Sequence, residues 1–290
     1  MNYRHHFHAG NFADVMKHAL LVLLMRALQK KEKGFLYLDT HAGRGRYDLT
    51  AAAAGDTHAR APEWPDGIAR LTERSNLPAV FAEYMGIVRT FDRQEGNNEA
   101  ALHFYPGSPV IARSLARPQE RLILCEKQAE ECAVLREAFQ FSPATFVQET
   151  DGYGAVRALL PPAERRGLVL IDPPFEAQDE FAQIARALDE GLRRFPSGVF
   201  AVWYPLTQRA RVDDFFAAIR ELRPPPTLAA ELEIAGPRAT MKMKGCGLLV
   251  VNPPWGFDRE AGPLLNFLAS ALEQAPGASG RVVWLAPEAS

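Results

Sequence analysis

Short apolar runs alternate with amphipathic stretches along most of this chain. Leu168-Val169-Leu170-Ile171 is aliphatic at every position, and such a run reads as a strand buried on both faces of a parallel sheet. Similar strands are predicted at Phe35–Leu38, Leu122–Cys125, Thr145–Val147 and Gly198–Tyr204. Between and after them, helical spacing predicts helices over Gln128–Gln140, Gly154–Leu160, Glu180–Arg194 and Asp213–Leu222. Ahead of the first strand, Asn11 can cap a helix running from Phe12 to about Lys31, with Asp14 in its first turn, where the helix dipole favours negative charge. Leu228–Ile234 and Cys246–Val251 are expected to pair as an antiparallel edge. Strand–helix alternation closed by a short β piece is the pattern of a doubly wound α/β fold.

One segment breaks the alternation. From Leu49 to Glu99, Ala51–Ala54, Pro62, Pro65 and Asn97-Asn98 punctuate stretches with helical spacing (Ile68, Leu71, then Phe81, Tyr84, Met85, Ile87 and Val88) and no β pattern. A turn-rich segment, Tyr105-Pro106-Gly107-Ser108-Pro109, brings the chain back. The expected organisation is an α/β core made of residues 1–48 and 105–290, with a small helical insertion over 49–104.

The chemistry concentrates at predicted strand ends, where open α/β sheets bind ligands. Gly43 and Gly45 follow the first strand, the context for close approach of a nucleotide-like ligand. A dinucleotide fold continues Gly-x-Gly-x-x-Gly, but position 48 is Asp, which argues against a nicotinamide enzyme. Glu126 ends the second core strand and can accept from both hydroxyls of a ribose. Asp151-Gly152 follows the third, where an acid can meet an adenine amine. Asp172-Pro173-Pro174-Phe175 follows Leu168–Ile171. The prolines stiffen this turn, so a carboxylate, proline-flanked carbonyls and an aromatic ring are held on one rigid loop. That set suits a planar base with an exocyclic amine. Asn252-Pro253-Pro254-Trp255 repeats the pattern after a late, edge-type strand. Chain order assigns catalysis to Asp172, whose strand should neighbour the first, and a packing or stacking role to Trp255.

Composition adds limits. The 290 residues are 47% hydrophobic and 23% charged, with a formal net charge of −2. There is no global basic field, so a nucleic-acid surface must be a local patch. The three cysteines, Cys125, Cys132 and Cys246, form no disulfide framework or metal cluster. The simplest reading is a cytoplasmic protein in a reducing compartment, with no metal and no membrane segment. Cys125, in a strand-like run, is expected in the core.

These motifs support a resemblance. Tyr-Arg-His at 3–5, His-Ala-Gly-Asn at 8–11, Lys17-His18, Phe-Leu-Tyr-Leu-Asp-Thr-His-Ala-Gly at 35–43, Tyr-Pro-Gly-Ser-Pro at 105–109, Ile-Asp-Pro-Pro at 171–174, Trp-Tyr-Pro at 203–205 and Asn-Pro-Pro-Trp at 252–255 run nearly end to end. In them the chain resembles the S-adenosylmethionine-dependent adenine-N6 methyltransferases, and more closely the RlmJ family acting on bacterial large-subunit (23S) ribosomal RNA. The resemblance implies a Rossmann-like class I methyltransferase sheet with an inserted helical subdomain, and a monomer. It implies cofactor contacts at His18, His41, Gly43, Ser108, Glu126, Asp151, Gly152 and Asp172. Asp172, Pro173 and Phe175 would form the catalytic loop, and Tyr3, Arg4, His5 and Lys17 would meet the RNA. By residue type alone, His18 on an apolar helix reads as a core histidine. The family usually has Tyr where this chain has Phe175, which keeps a stacking ring and loses a hydroxyl.

Other readings share these residues. The same loop serves DNA adenine or a protein glutamine amide, and an RNA-binding module that merely retains the fold is the non-enzymatic alternative. Arg44, Arg46, Arg238, Lys242 and Lys244 are further candidates for phosphate contact.

Overall fold

The computed structural model describes residues 7–53 and 61–287. Its centre is an eight-stranded sheet. The strands are β1 (Leu36–Asp39), β4 (Arg121–Glu126), β5 (Thr145–Glu149), β6 (Gly167–Ile171), β7 (Val199–Pro205), β8 (Thr227–Glu233), β9 (Gly245–Val251) and β10 (Ser279–Ala286), in the order β10-β8-β9-β7-β6-β1-β4-β5. Strands β5, β4, β1, β6 and β7 are parallel, so their carboxyl ends share one edge. The chain fills the β4–β5 side of β1 first and then crosses to β6 and β7. The strand order therefore reverses between β1 and β6, where such sheets open a crevice. Asp39 and Asp172 end these two neighbouring strands.

Side-chain alternation along the strands feeds two cores. Tyr37, Leu122, Leu124, Leu168, Leu170 and Leu248 face one side, under α1 (Phe12–Gln29), α4 (Ser108–Leu115) and α9 (Phe257–Leu272). Leu38, Ile123, Cys125, Val169, Ile171 and Phe200 face the other, under α6 (Gly152–Leu159), α7 (Glu180–Arg194) and α8 (Arg209–Glu221). The expected doubly wound α/β fold, with Cys125 in its core, is present. Helix α1 is buried from Phe12 through Met25, because it is apolar nearly all round. Asn11 caps it as anticipated, accepting from the backbone N–H of Ala13 and Asp14 at 2.9 Å each.

The chain leaves the core through β2 (Arg46–Asp48) and returns through β3 (Phe104–Pro106), which pair antiparallel. The described structure between them is helical: α2 (Leu49–Ala53), two single 3-10 turns over 64–66 and 68–71, and α3 (Ala79–Gln94). These helices share the main core. Ile68, Phe81, Tyr84, Met85 and Val88 belong to the same buried cluster as α1.

The late part of the sheet departs from expectation. Strands β8 and β9 do pair antiparallel, but β9 is internal, between β7 and β8, and β10 forms the edge. Helix α9 carries Pro263 in its interior. A proline there removes a helical hydrogen bond and reads as a break, but burial of Ala261, Leu264, Leu265 and Leu268 on the sheet outweighs it. Because β9 runs opposite to β7, Val251 pairs with Phe200 at the start of β7. The second Pro-Pro motif therefore lies at the far edge of the sheet from Asp172.

One close approach holds the crevice together. A Cβ on Gly152 would fall 2.0 Å from the Thr40 carbonyl oxygen, so only glycine lets the turn after β5 lie against the turn after β1. Gly152→Ala should lower stability by about 3 kcal/mol, the upper range for overpacking, read as a lower midpoint in chemical denaturation. An unchanged midpoint would show that this contact yields easily.

Candidate active site

The crevice is a cleft of about 1020 Å³. It gathers Lys17, His18, His41, Gly43, Ser108, Glu126, Asp151, Asp172, Pro173 and Phe175 from six stretches of chain. Gly152 stands just behind, against Thr40. Tyr3, Arg4 and His5 lie outside the described residues.

On the β1 side the turn is built around two acids. Gly43 and Gly45 adopt positive φ, +61° and +74°, which glycine alone takes without strain. The Gly43 N–H donates to Glu126 Oε2 at 2.9 Å, and the Gln128 N–H donates to Oε1 at 2.7 Å. Glu126 thus anchors the glycine turn, and each oxygen keeps a second lone pair for a ligand. Asp151 caps α6, accepting from the Gly154 N–H at 2.9 Å, with Lys127 3.5 Å from its other oxygen. His41 packs edge-on to Tyr153 at 5.1 Å, with Nδ1 2.8 Å from the Thr40 hydroxyl. Burial pulls its pKa down to about 4, against the opposing pull of Asp172 and Asp151, so it is neutral at physiological pH.

Asp39 was not among the residues singled out, although it obeys the same strand-end rule as Glu126. It is fully buried and accepts from Tyr37 Oη at 2.8 Å and Ser108 Oγ at 2.7 Å. Burial pushes its pKa up to about 6, with the two hydroxyls opposing. Ser108 therefore lines the cleft while tied to Asp39.

On the β6 side the central feature is a buried ion triad. The Lys17 ammonium lies 2.8 Å from Asp14 Oδ1 and 2.5 Å from Asp172 Oδ2. Burial alone would pull the lysine down, but the two carboxylates outweigh it and hold its pKa well above the usual value. Asp14 is fixed in turn by the Gly10 N–H at 3.1 Å. Asp14 thus does more than complement the helix dipole. Beyond Asp172, Phe175 takes a positive φ of 51°. Its ring meets Phe181 at 5.0 Å and Trp203 at 5.7 Å, both edge-on. Phe181 and Trp203 were missed because an aromatic residue in a helix or strand looks like core.

The basic candidates separate. Arg44 is paired with Glu131 and Arg46 with Glu95, and Lys244 donates to the Pro237 carbonyl at 2.6 Å. These three are engaged within the chain. Arg238 lies outside the cleft lining. Lys242 is exposed at the rim, near the aromatic wall. Arg211, not anticipated, stands there too, with its guanidinium 5.8 Å from the Phe181 ring centroid and one N–H donating to the Gln178 carbonyl at 2.9 Å. The acids Glu126, Glu131 and Asp151 line the opposite end.

The second Pro-Pro motif is excluded from this site by topology. Asn252 Nδ2 donates to the carbonyls of Pro196 and Gly198 at 2.8 Å each, on the far edge. Trp255 is 75% exposed, and its ring meets only the Arg259 guanidinium at 5.4 Å among the described ring contacts. It does not pack into the core, whereas Phe257, two residues on, is buried.

The family model described as ribosomal RNA large subunit methyltransferase D, RlmJ, matches residues 32–286. The chain is 38% identical over 289 residues to ribosomal RNA large subunit methyltransferase J of Escherichia coli (strain K12), spanning 99% of this chain and 100% of that protein. It is 38% identical over 288 residues to the methyltransferase J of Haemophilus influenzae, with the same coverage. The crystal structure of protein LPL1258 from Legionella pneumophila matches with a TM-score of 0.85 at 36% identity, covering 95% of this chain and 98% of that one.

The raised pKa of Asp39 has a stability consequence. The folded chain holds this proton more tightly than the unfolded chain, so the group favours folding at low pH. That contribution is lost as pH rises from the ordinary value of 3.8 through about 6. Asp39→Asn should therefore raise the melting temperature by a few degrees near pH 8, for a gain of ~1–2 kcal/mol. The gain should shrink as pH falls toward about 4. A pH-independent difference would contradict the burial argument.

Proposed function

The chain belongs to the RlmJ family of ribosomal RNA large subunit methyltransferases, and from that premise we propose that it methylates the N6 amine of an adenine in 23S ribosomal RNA with S-adenosylmethionine. The observation that carries this reading is the Asp172 loop, clamped by Lys17 at the point where the strand order reverses.

The donor set fits the cofactor. Glu126 keeps lone pairs for two vicinal hydroxyls. Asp151 stands one strand further out, where it suits an adenine amine, and Gly152 gives the turn its close fit against Thr40. Asp39, Glu126 and Asp151 make this end of the cleft anionic, which suits a sulfonium. His18, His41, Gly43 and Ser108 complete the proposed contacts. When bound, the cofactor supplies an electrophilic methyl group.

The chain's own residues do the rest. The adenine amine is a poor nucleophile, because its lone pair is delocalised into the ring. Asp172 and the Pro173 carbonyl accept its two hydrogens and favour a pyramidal nitrogen aimed at the methyl. Held in this geometry, the step gains from proximity. Lys17 fixes the Asp172 carboxylate, and its raised pKa keeps it an ammonium, so it is not the proton acceptor. The amine becomes strongly acidic only as the new C–N bond forms, so a weak base such as Asp172 suffices to take the proton. The base must leave its stack to reach the loop, and Phe175, backed by Phe181 and Trp203, offers the replacement stacking surface.

We further propose that the RNA backbone follows the rim bearing Arg211 and Lys242, joined by Tyr3, Arg4 and His5. Net charge is slightly negative, so these local cations must supply the phosphate contacts. We read residues 49–104 as an insertion in the Rossmann-like core, and the enzyme as a cytoplasmic monomer. Among the described residues no helix is long and apolar enough to cross a membrane.

Methyl transfer from labelled cofactor to protein-free large-subunit RNA, followed by nucleoside analysis, should give N6-methyladenosine. Small-subunit RNA and duplex DNA should stay unlabelled. Asp172→Ala should lose turnover by at least the ~10²–10⁴-fold of a proton-transfer group, with cofactor binding nearly intact by calorimetry. Full activity in that variant would remove Asp172 from the mechanism. Arg211→Ala and Lys242→Ala should each weaken RNA binding across sequences and lower the salt slope by roughly 0.7–0.9. An unchanged slope would take the RNA off this rim.

A further inference from the structure

The Asn252-Pro253-Pro254-Trp255 loop has no part in the cleft, yet it is firmly built. Asn252 takes a positive φ of 53°. Its N–H donates to the Pro226 carbonyl at 2.8 Å, while its side chain ties the loop to the Pro196 and Gly198 carbonyls. On the other side of Trp255, the buried Phe257 donates its N–H back to the Pro254 carbonyl at 3.0 Å. Two prolines stiffen the stretch between. This scaffold holds up an indole that is largely exposed. The guanidinium that meets it belongs to Arg259, in the first turn of α9, where the helix dipole disfavours a cation. Neither side chain is placed for the stability of the fold.

Topology sets this indole in a row of cations. Strands β8, β9, β7, β6 and β1 are adjacent in that order. On the edge away from the cleft, β9 ends and the other four begin. Arg223 precedes β8, Trp255 follows β9, Arg194 precedes β7, Arg165 precedes β6 and Lys33 precedes β1. At the usual strand spacing the row is about 19 Å long. These four cations are exposed and form no ion pair among the described residues. The acids beside them, Glu32, Glu221 and Asp258, are outnumbered once Lys31, Arg220 and Arg259 join the row. Helix dipoles account for a cation such as Arg194 in a last turn, but not for Lys33 and Arg165 in the turns, nor for the bare indole among them.

We propose that this edge is a second RNA-binding surface, on which Trp255 stacks an unpaired base and the flanking cations hold its phosphates. An aromatic ring among unpaired cations is the composition of a single-strand platform, and stacking of this kind tolerates any base. The ring is held rigidly, so it loses little freedom on binding. The two edges of the sheet are one strand apart, roughly 20 Å for strands of five to seven residues, so one folded RNA can touch both. The proposal rests on the RNA-methylating reading of the chain and adds a contact remote from its chemistry.

The test is binding of protein-free large-subunit RNA across a salt series, with methyl transfer and cofactor affinity alongside. The proteins are the wild type, Trp255→Ala, Trp255→Phe and a triple variant combining Lys33→Gln, Arg165→Gln and Arg223→Gln. Trp255→Ala should weaken RNA binding roughly 5- to 150-fold, as for one stacked base, with an unchanged salt slope, because stacking releases no counterions. Trp255→Phe should keep most of the affinity. The triple variant should lower the salt slope by roughly 2–3, at about 0.7–0.9 per phosphate contact. Cofactor affinity should stay within about twofold throughout, because none of these residues lines the cleft. If Trp255→Ala and the triple variant both bind RNA as the wild type does, the proposal is overturned. A wild type that still methylates the RNA then leaves the RNA-methylating reading standing. A wild type that neither binds nor methylates the RNA removes that reading and this surface with it. A Trp255→Ala effect confined to sedimentation, with RNA affinity unmoved, makes the edge a contact between copies of the chain and equally overturns the proposal.

Discussion

A buried ammonium between two carboxylates is the constraint on which the site depends. Lys17 sits on the innermost helix, and Asp172 ends a central strand. A charge in such a place is costly unless paired on all sides, and a buried pair that loses one partner leaves an uncompensated ion worth ~3–5 kcal/mol. The three groups therefore hold one another in a single arrangement. Asp14, tied to the Gly10 N–H and placed by the Asn11 cap, sets Lys17, and Lys17 sets the oxygen of Asp172 that it meets. The Asp172 loop thus takes its alignment from the first turns of α1 as much as from its own prolines.

The rest of the cleft divides its charge to suit two unlike ligands. Acids at the ends of β1, β4 and β5 make one end anionic, and burial keeps His41 uncharged among them. An imidazolium there would repel a sulfonium. Across the aromatic wall, the rim carries Arg211 and Lys242, which suits a polyanion. With so little net charge on the whole chain, a nucleic-acid contact at this cleft would rest on such local cations and not on a global basic field.

Much of this was legible in the sequence, and the exceptions have physical causes. The parallel core was readable because strands buried on both faces are apolar at every position, and Glu126, Asp151 and Asp172 were found because strand ends collect chemistry. Asp39 obeys the same rule, but it hid inside the glycine turn. Helix α9 was obscured by Pro263, whose local cost is overridden by a buried apolar face. The internal place of β9 could not be read, because strand order depends on which partners compete for an edge, and β10, half-exposed along its length, gave a weak signal. The basic residues Arg44 and Arg46 looked available for phosphate because their acidic partners, Glu131 and Glu95, lie far away in sequence. Tyr84 read as core from its helical spacing and Tyr105 as part of a turn, while His18 read as core by residue type and as a cofactor contact only through the resemblance; all three are buried.

The burial of α1 has a consequence for biosynthesis. This helix leaves the ribosome before the described strands of the sheet, yet besides α3 and α4 it packs on β9 and α9, which follow more than 200 residues later. Until these are made, the part of its apolar surface that meets them lacks its final cover, and contacts this distant along the chain are slow to form. Apolar surface left open while later elements are made is the condition under which chains of this size recruit chaperones or aggregate.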